Sequence, residues 1–258
     1  MKLKQRWNLY KLMTKEVKKM ANTDNIRAFI FDVFGTVVNW RGSIISQGEN
    51  FGAKYNISTN WEEFADKWRG KYRPYMDKVR TGELPWTNLD ALHQMSLIEL
   101  LEELDINGLN DNQIDELVYF WHNLKPWSDT VPGLYRLKNK YIISPMSNGN
   151  IVLMADMAKN GSMPWDCILG AEVAQHYKPH PRSYLTAVEI LGCTPDQVVM
   201  TAAHERDLLA AQEVGLKTAF VTRPMEFGTL NTNLPKESDH PFDFWATDFV
   251  DLAGKVGA

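Results

Sequence analysis

From residue 25 onward the chain alternates short apolar runs with segments of helical period, and this restricts the fold more than any other feature. Arg27-Ala28-Phe29-Ile30-Phe31, within a stretch from Ile26 to Asp32, is the first run; Tyr141 to Met146, Gln197 to Thr201 and Thr218 to Thr222 repeat the pattern. Each is short and evenly apolar, as expected of a strand buried on both sides. Pro145 lies near the end of its run, where a ladder can stop. Between the runs, Ile151 to Lys159, Arg182 to Leu191 and Arg206 to Val214 carry helical spacing, and Gly192 and Gly215 end the last two. Such alternation predicts a parallel sheet with helices on both faces, with ligands outside the carboxyl ends of the strands.

Residues 42–127 break the pattern. They show no convincing strand, and instead Trp61 to Tyr72, Leu89 to Leu104 and Asn112 to Leu124 place apolar residues three or four apart. This predicts a helical insert (42–127) over the strand ends, as a lid on a core of residues 25–41 and 128–258. The basic stretch at 1–24 lacks the apolar centre and cleavage site of a secretory signal. Trp7, Leu9, Tyr10, Leu12 and Met13 allow a weak amphipathic helix, but a disordered tail, or a functional start at Met20, is the preferred reading.

Composition narrows the function classes. At 258 residues and 44% hydrophobic, the chain can form one large domain or a core with an inserted subdomain. A formal charge of −4 gives no electrostatic case for nucleic acid. No apolar run is long enough to span a membrane. Cys167 and Cys193 lack metal or redox spacing and read as free thiols of a reducing cytoplasm.

Four segments at predicted strand ends hold polar groups. Asp32-Val33-Phe34-Gly35-Thr36 places a carboxylate where the first strand emerges, a glycine for a tight turn and a hydroxyl that can reach back. Alone, Asp32 reads more readily as a turn residue or helix cap. Ser147-Asn148-Gly149 leads into a helix and offers either an anion cradle or a simple cap. In Tyr177-Lys178-Pro179-His180-Pro181 the prolines hold Lys178 in an extended path, where it can keep a nearby carboxylate ionised. Thr201-Ala202-Ala203-His204-Glu205-Arg206-Asp207 puts Asp207 in a first helical turn, a position that the helix dipole also favours on its own. His122, His176 and His180 have no metal-site spacing and read as structural or exposed.

Together, in this order, the four segments resemble the haloacid dehalogenase superfamily, over roughly residues 26–225. The resemblance implies an α/β fold: a doubly wound parallel-sheet (Rossmann-like) core with an inserted helical cap. Most members are magnesium-dependent phosphatases with a second aspartate two residues after the nucleophile and an acidic metal loop. Here Phe34 and Ala203 stand at those places. What remains is a poor ligand set for a hard cation, so neither metal nor cofactor is expected. A halide needs no proton to leave, and the pattern is similar to type II 2-haloacid dehalogenases: Tyr184 and Asp207 follow Lys178 at that family's intervals.

The resemblance implies hydrolysis of short 2-haloalkanoic acids to 2-hydroxyacids, with inversion, through an ester on Asp32. It gives catalytic roles to Asp32, Thr36, Ser147, Lys178, Tyr184 and Asp207. Substrate and halide fall to backbone groups of Val33 and Phe34, and to Arg69, Asn148 and His204. Lys67, Lys71, Arg73 and Arg80 are neighbours that can be confused with Arg69. Ala202-Ala203-His204 departs from the Ser-Ser-Asn that usually precedes the last acid. Two roles stay open for His204: polarising the hydrolytic water, or donating a hydrogen bond to Asp207 or to halide. The expected partner is the small haloacid, and a homodimer is compatible with the family. The alternatives are a metal-dependent phosphatase or phosphonate hydrolase of the same superfamily, and a non-catalytic ligand-binding descendant.

Overall fold

Strand β1 (Ala28–Phe31) is buried along its whole length, and its side chains divide by parity. Phe29 and Phe31 join one hydrophobic cluster, Ala28 and Ile30 another. This two-residue period means that both faces of the sheet are covered. The structure, a computed structural model, describes residues 23–258. The expectations for the basic stretch, including the amphipathic helix and the Met20 start, therefore fall almost wholly outside the described residues.

β1 pairs in parallel with β4 (Ile142–Pro145) on one side and β5 (Val198–Ala202) on the other. β6 (Lys217–Val221) and β7 (Phe244–Ala246) extend the sheet in the order β4-β1-β5-β6-β7. The order reverses at β1, so its carboxyl end opens at a switch point of the topology, where such sheets bind ligands. Helices α5 (Thr130–Lys138), α6 (Ile151–Gly161) and α9 (Phe249–Lys255) lie with the first cluster, and α7 (Pro181–Ile190) and α8 (Glu205–Glu213) with the second. The doubly wound parallel core is thus present. The strands match the apolar runs to within two residues at each end, while β7 and α9 were not anticipated.

The insert contains α1 (Trp40–Tyr55), α2 (Trp61–Arg80), α3 (Leu89–Glu103), α4 (Asp111–Val118) and a 3-10 turn (Tyr119–Asn123). Each helix follows an asparagine: Asn39, Asn60, Asn88 and Asn110 accept from first-turn backbone N–H groups, satisfying donors that a helix start leaves open. Two differences from the sequence reading appear. Helix α1 was unforeseen and begins at Trp40, ahead of residue 42. Its Gly48 and Gly52 weaken the helical pattern, and both lie flat against the Trp61 ring, where a Cβ would clash. Secondly, β2 (Val38–Asn39) and β3 (Lys125–Pro126) form an antiparallel ribbon at the base, although no strand was expected within 42–127.

Aromatic rings fill the insert. Trp61, Phe64, Trp68 and Trp121 form a chain of edge contacts, the last reaching Phe34 at 5.7 Å. The insert and the β1 loop thus share one apolar cluster.

Candidate active site

Asp32 is the first residue past β1. Its backbone N–H donates to Thr201 O on β5 at 2.9 Å, which fixes its side chain above the strand ends. Gly35 turns the chain at φ +87°, a left-handed conformation that favours glycine, and a Cβ there would strike the Glu226 carboxylate. The turn returns Thr36, whose hydroxyl donates to Asp32 Oδ2 at 2.7 Å and accepts from Ala203 N at 2.9 Å.

The other oxygen of Asp32 meets a cation. Lys178 Nζ donates to Asp32 Oδ1 at 2.9 Å and also to Asp207 Oδ2; Tyr184 donates to Asp207 Oδ1. All four side chains are nearly sealed from water. Burial alone would neutralise Asp32, but Lys178 and His204 outweigh it and hold the carboxyl far below its usual range. Burial likewise works against the charge on Lys178, yet Asp207 and Asp32 push its pKa up. Asp207 is itself shifted upward by burial.

His204 bridges two carboxylates. Nδ1 lies 2.9 Å from Asp32 Oδ2, and Nε2 lies 3.1 Å from both oxygens of Glu226. Both ring nitrogens face acceptors, which suits the doubly protonated ring. Burial opposes that charge, but Asp32 and Glu226 prevail and raise the pKa from 6.5 to about 10. The His204 ring therefore makes these two bonds in place of the suggested bond to the Asp207 side chain; the His204 backbone carbonyl accepts from the Asp207 N–H. Glu226, missed in the sequence, is also held by Trp40 Nε1 at 3.2 Å. Its signal was its place in the loop after β6, another strand end.

Arg69 stands in an aromatic cage. Its guanidinium lies 4.2 Å from the Tyr72 ring centroid, 5.4 Å from Trp40 and 5.8 Å from Phe34. Nη1 is buried without a hydrogen-bond partner among the described residues. A half-buried cation with an unused donor is a receptor for an anion. Asn148 accepts from Lys178 N at 2.7 Å, which orients its amide. Asp32, Phe34, Arg69, Tyr72, Asn148, Lys178, Tyr184, His204 and Asp207 all line one cavity of about 390 Å³.

Ser147 departs from expectation. Its hydroxyl accepts from Gly149 N at 3.0 Å, its backbone N–H donates to Leu169 O at 3.3 Å, and it lines a separate small crevice beside His176 and Ser183. Pairing with Leu169 thus takes up the Ser147 backbone N–H expected to help cradle an anion. Val33 does not line the cavity with its side chain either, being buried in the core. However, the backbone N–H groups of Val33, Phe34 and Asn148 make no hydrogen bond among the described residues.

A hard cation does not fit these residues. The Asp32 oxygens already face an ammonium, a hydroxyl and an imidazolium, Phe34 presents a ring, and Ala203 offers no side-chain oxygen. No metal-ligating cluster of three His, Cys, Asp or Glu occurs among the described residues.

Fold and site define an α/β enzyme centred on one ionised, buried aspartate beneath a helical insert. The chain belongs to the haloacid dehalogenase-like hydrolase family, whose model matches residues 26–215. Among solved structures, a defluorinating L-2-haloacid dehalogenase, Rha0230, is 42% identical with a TM-score of 0.86, over 90% of this chain and 96% of its own. Among characterised sequences, (S)-2-haloacid dehalogenase 4A of Burkholderia cepacia is 27% identical over 78% of this chain and 84% of its own length. Pyrophosphatase PpaX of Bacillus cereus is 31% identical over 76% and 83%.

Proposed function

We propose that the protein hydrolyses short 2-haloalkanoic acids to 2-hydroxyacids through a covalent ester on Asp32. The observation that carries this reading is the pairing, in one cavity, of an ionised, fully oriented Asp32 with an Arg69 guanidinium whose Nη1 has no hydrogen-bond partner among the described residues. The first is a nucleophile; the second receives an anion that forms only as the bond breaks, where electrostatic help counts most.

The substrate carboxylate docks on the free N–H groups of Val33, Phe34 and Asn148. Asp32 attacks C2 opposite the halogen, the C–X bond breaks, and halide leaves toward Arg69 and Asn148 with inversion at C2. Holding the reactants in line supplies roughly 7–11 kcal/mol of such accelerations. The aromatic wall excludes water during this step.

Esterification removes the charge from Asp32, and with it much of the support for the His204 proton. The imidazolium pKa falls, the ring releases its proton to solvent, and the free base can take one from water. Glu226 and Trp40 keep the ring aimed throughout. Hydroxide then adds to the Asp32 carbonyl carbon, the ester C–O bond breaks, and the 2-hydroxyacid departs with the proton returned. Lys178, itself held by Asp207 and Tyr184, balances Asp32 in the resting enzyme.

A metal-dependent phosphoryl reaction fits poorly, because Phe34 stands where the leaving group would need a proton donor. No described helix is long and apolar enough to cross a membrane. We place the enzyme in the cytoplasm, a reading supported by the free, half-buried thiols Cys167 and Cys193.

A single turnover of 2-chloropropionate in oxygen-18 water, with mass spectrometry of the Asp32 peptide, tests the scheme. The label is expected in the Asp32 carboxylate first. Label entering the product directly, with Asp32 unlabelled, sinks it.

A further inference from the structure

Helix α2 lays one face along the cavity: Arg69, Tyr72, Arg73, Met76 and Arg80, at helical intervals. Arg69 serves the reaction proposed above, but the cations farther out have no part in it. Arg80 is committed elsewhere, bonding to Asp77 and to the Lys178 carbonyl. Arg73 is different. It lies one turn beyond Arg69, its side chain is 62% exposed, and its ion pair with Asp77 is a loose 3.9 Å contact. Arg206, in the first turn of α8, lines the same cavity and makes no hydrogen bond or ion pair among the described residues.

Size points the same way. A cavity of about 390 Å³ holds roughly a dozen waters by liquid volume, whereas a three-carbon haloacid displaces roughly four. The inner groups already satisfy one carboxylate and one halide, which leaves the space beside Arg206 and the loosely paired Arg73 for a further anionic group. Arg73 follows Arg69 by one helical turn, about 6 Å along the axis, so the two guanidiniums border neighbouring parts of the same cavity. Guanidiniums are suited to carboxylates because their planar forks bind both oxygens.

We infer that the outer part of the cavity is a subsite for a second carboxylate, and that the favoured substrates are short 2-halodicarboxylic acids. This rests on the dehalogenase reading and adds the substrate class to it. The reaction at C2 is unchanged; the second carboxylate lowers KM rather than altering the displacement.

The test compares 2-chlorosuccinate with 2-chlorobutyrate, which has the same carbon count and a methyl group in place of the second carboxylate. The wild type is expected to favour the diacid roughly fivefold or more in kcat/KM, mostly through KM, as fits about 1 kcal/mol from partly exposed ion pairs. That preference should shrink as salt rises. In the double variant Arg73→Gln, Arg206→Gln it should vanish while 2-chlorobutyrate turnover is unchanged. Equal or poorer use of the diacid by the wild type overturns the subsite, as does an equal loss on both substrates in the variant. If neither substrate turns over, the dehalogenase reading fails instead. Calorimetry with succinate and butyrate then reads the subsite by itself: the wild type must bind succinate tighter, and the double variant must not.

Discussion

At the scale of single residues, charge is concentrated where Asp32, Lys178, Asp207, His204 and Glu226 meet. Asp32→Asn should abolish halide release and leave its peptide unalkylated after exposure to substrate; turnover near the wild-type rate would remove it as nucleophile. His204→Gln should slow ester hydrolysis by about 10²–10⁴-fold, the usual scale for a lost general base. It should spare alkylation, so a burst of halide matching the enzyme concentration would precede a slow steady state. Its absence, with ordinary steady turnover, would assign water activation elsewhere. The same ring makes stability depend on pH. The folded protein raises the His204 pKa from 6.5 to about 10, so it binds a proton that the unfolded chain has lost across that interval. The resulting stabilisation is complete below 6.5 and disappears as pH rises through about 10. Melting temperature should therefore fall over this window in the wild type, and fall less in His204→Gln.

Among the elements, a close fit against backbone lies beneath the sheet. Gly133 on α5 faces Phe249 of α9 so closely that an added Cβ would sit 2.6 Å from the Phe249 backbone carbon. Gly133→Ala should cost about 1–3 kcal/mol, since backbone cannot give way as a side-chain tip can; urea unfolding with an unchanged midpoint would show the helices free to separate. The insert is fastened differently. His122, read in the sequence as structural or exposed, is buried, with Nε2 3.1 Å from Asp90 on α3 and Nδ1 2.8 Å from Asp156 on α6. Burial opposes its charge, yet Asp90 and Asp156 raise its pKa, so an ion-paired imidazole ties the insert to a core helix. Its partners lie 32 and 34 residues away in the chain, beyond any periodicity that marks a single helix.

For the molecule as a whole, the chemistry depends on a cavity closed by the sheet on one side and the insert on the other. Activity should survive excess EDTA, because no residue set around Asp32 suits a hard cation; loss of turnover restored by Mg²⁺ would instead indicate a phosphoryl-transfer enzyme. The sequence by itself determined the buried strands, the position of Asp32 at a strand end and the helical segments that begin at Trp61 and Leu89, whose starts the asparagines before them cap. All are set locally, by the two-residue alternation of side chains and by the donors that a helix start leaves open. Only the tertiary structure decided that Glu226 holds His204, that Ser147 turns into its own loop, and that Arg69, among several neighbouring cations, enters an aromatic cage. His204 and Asp32 lie 172 residues apart in sequence yet meet at 2.9 Å. Their meeting depends on how loops pack over the finished sheet, and no local pattern of hydrophobicity or turn chemistry encodes that.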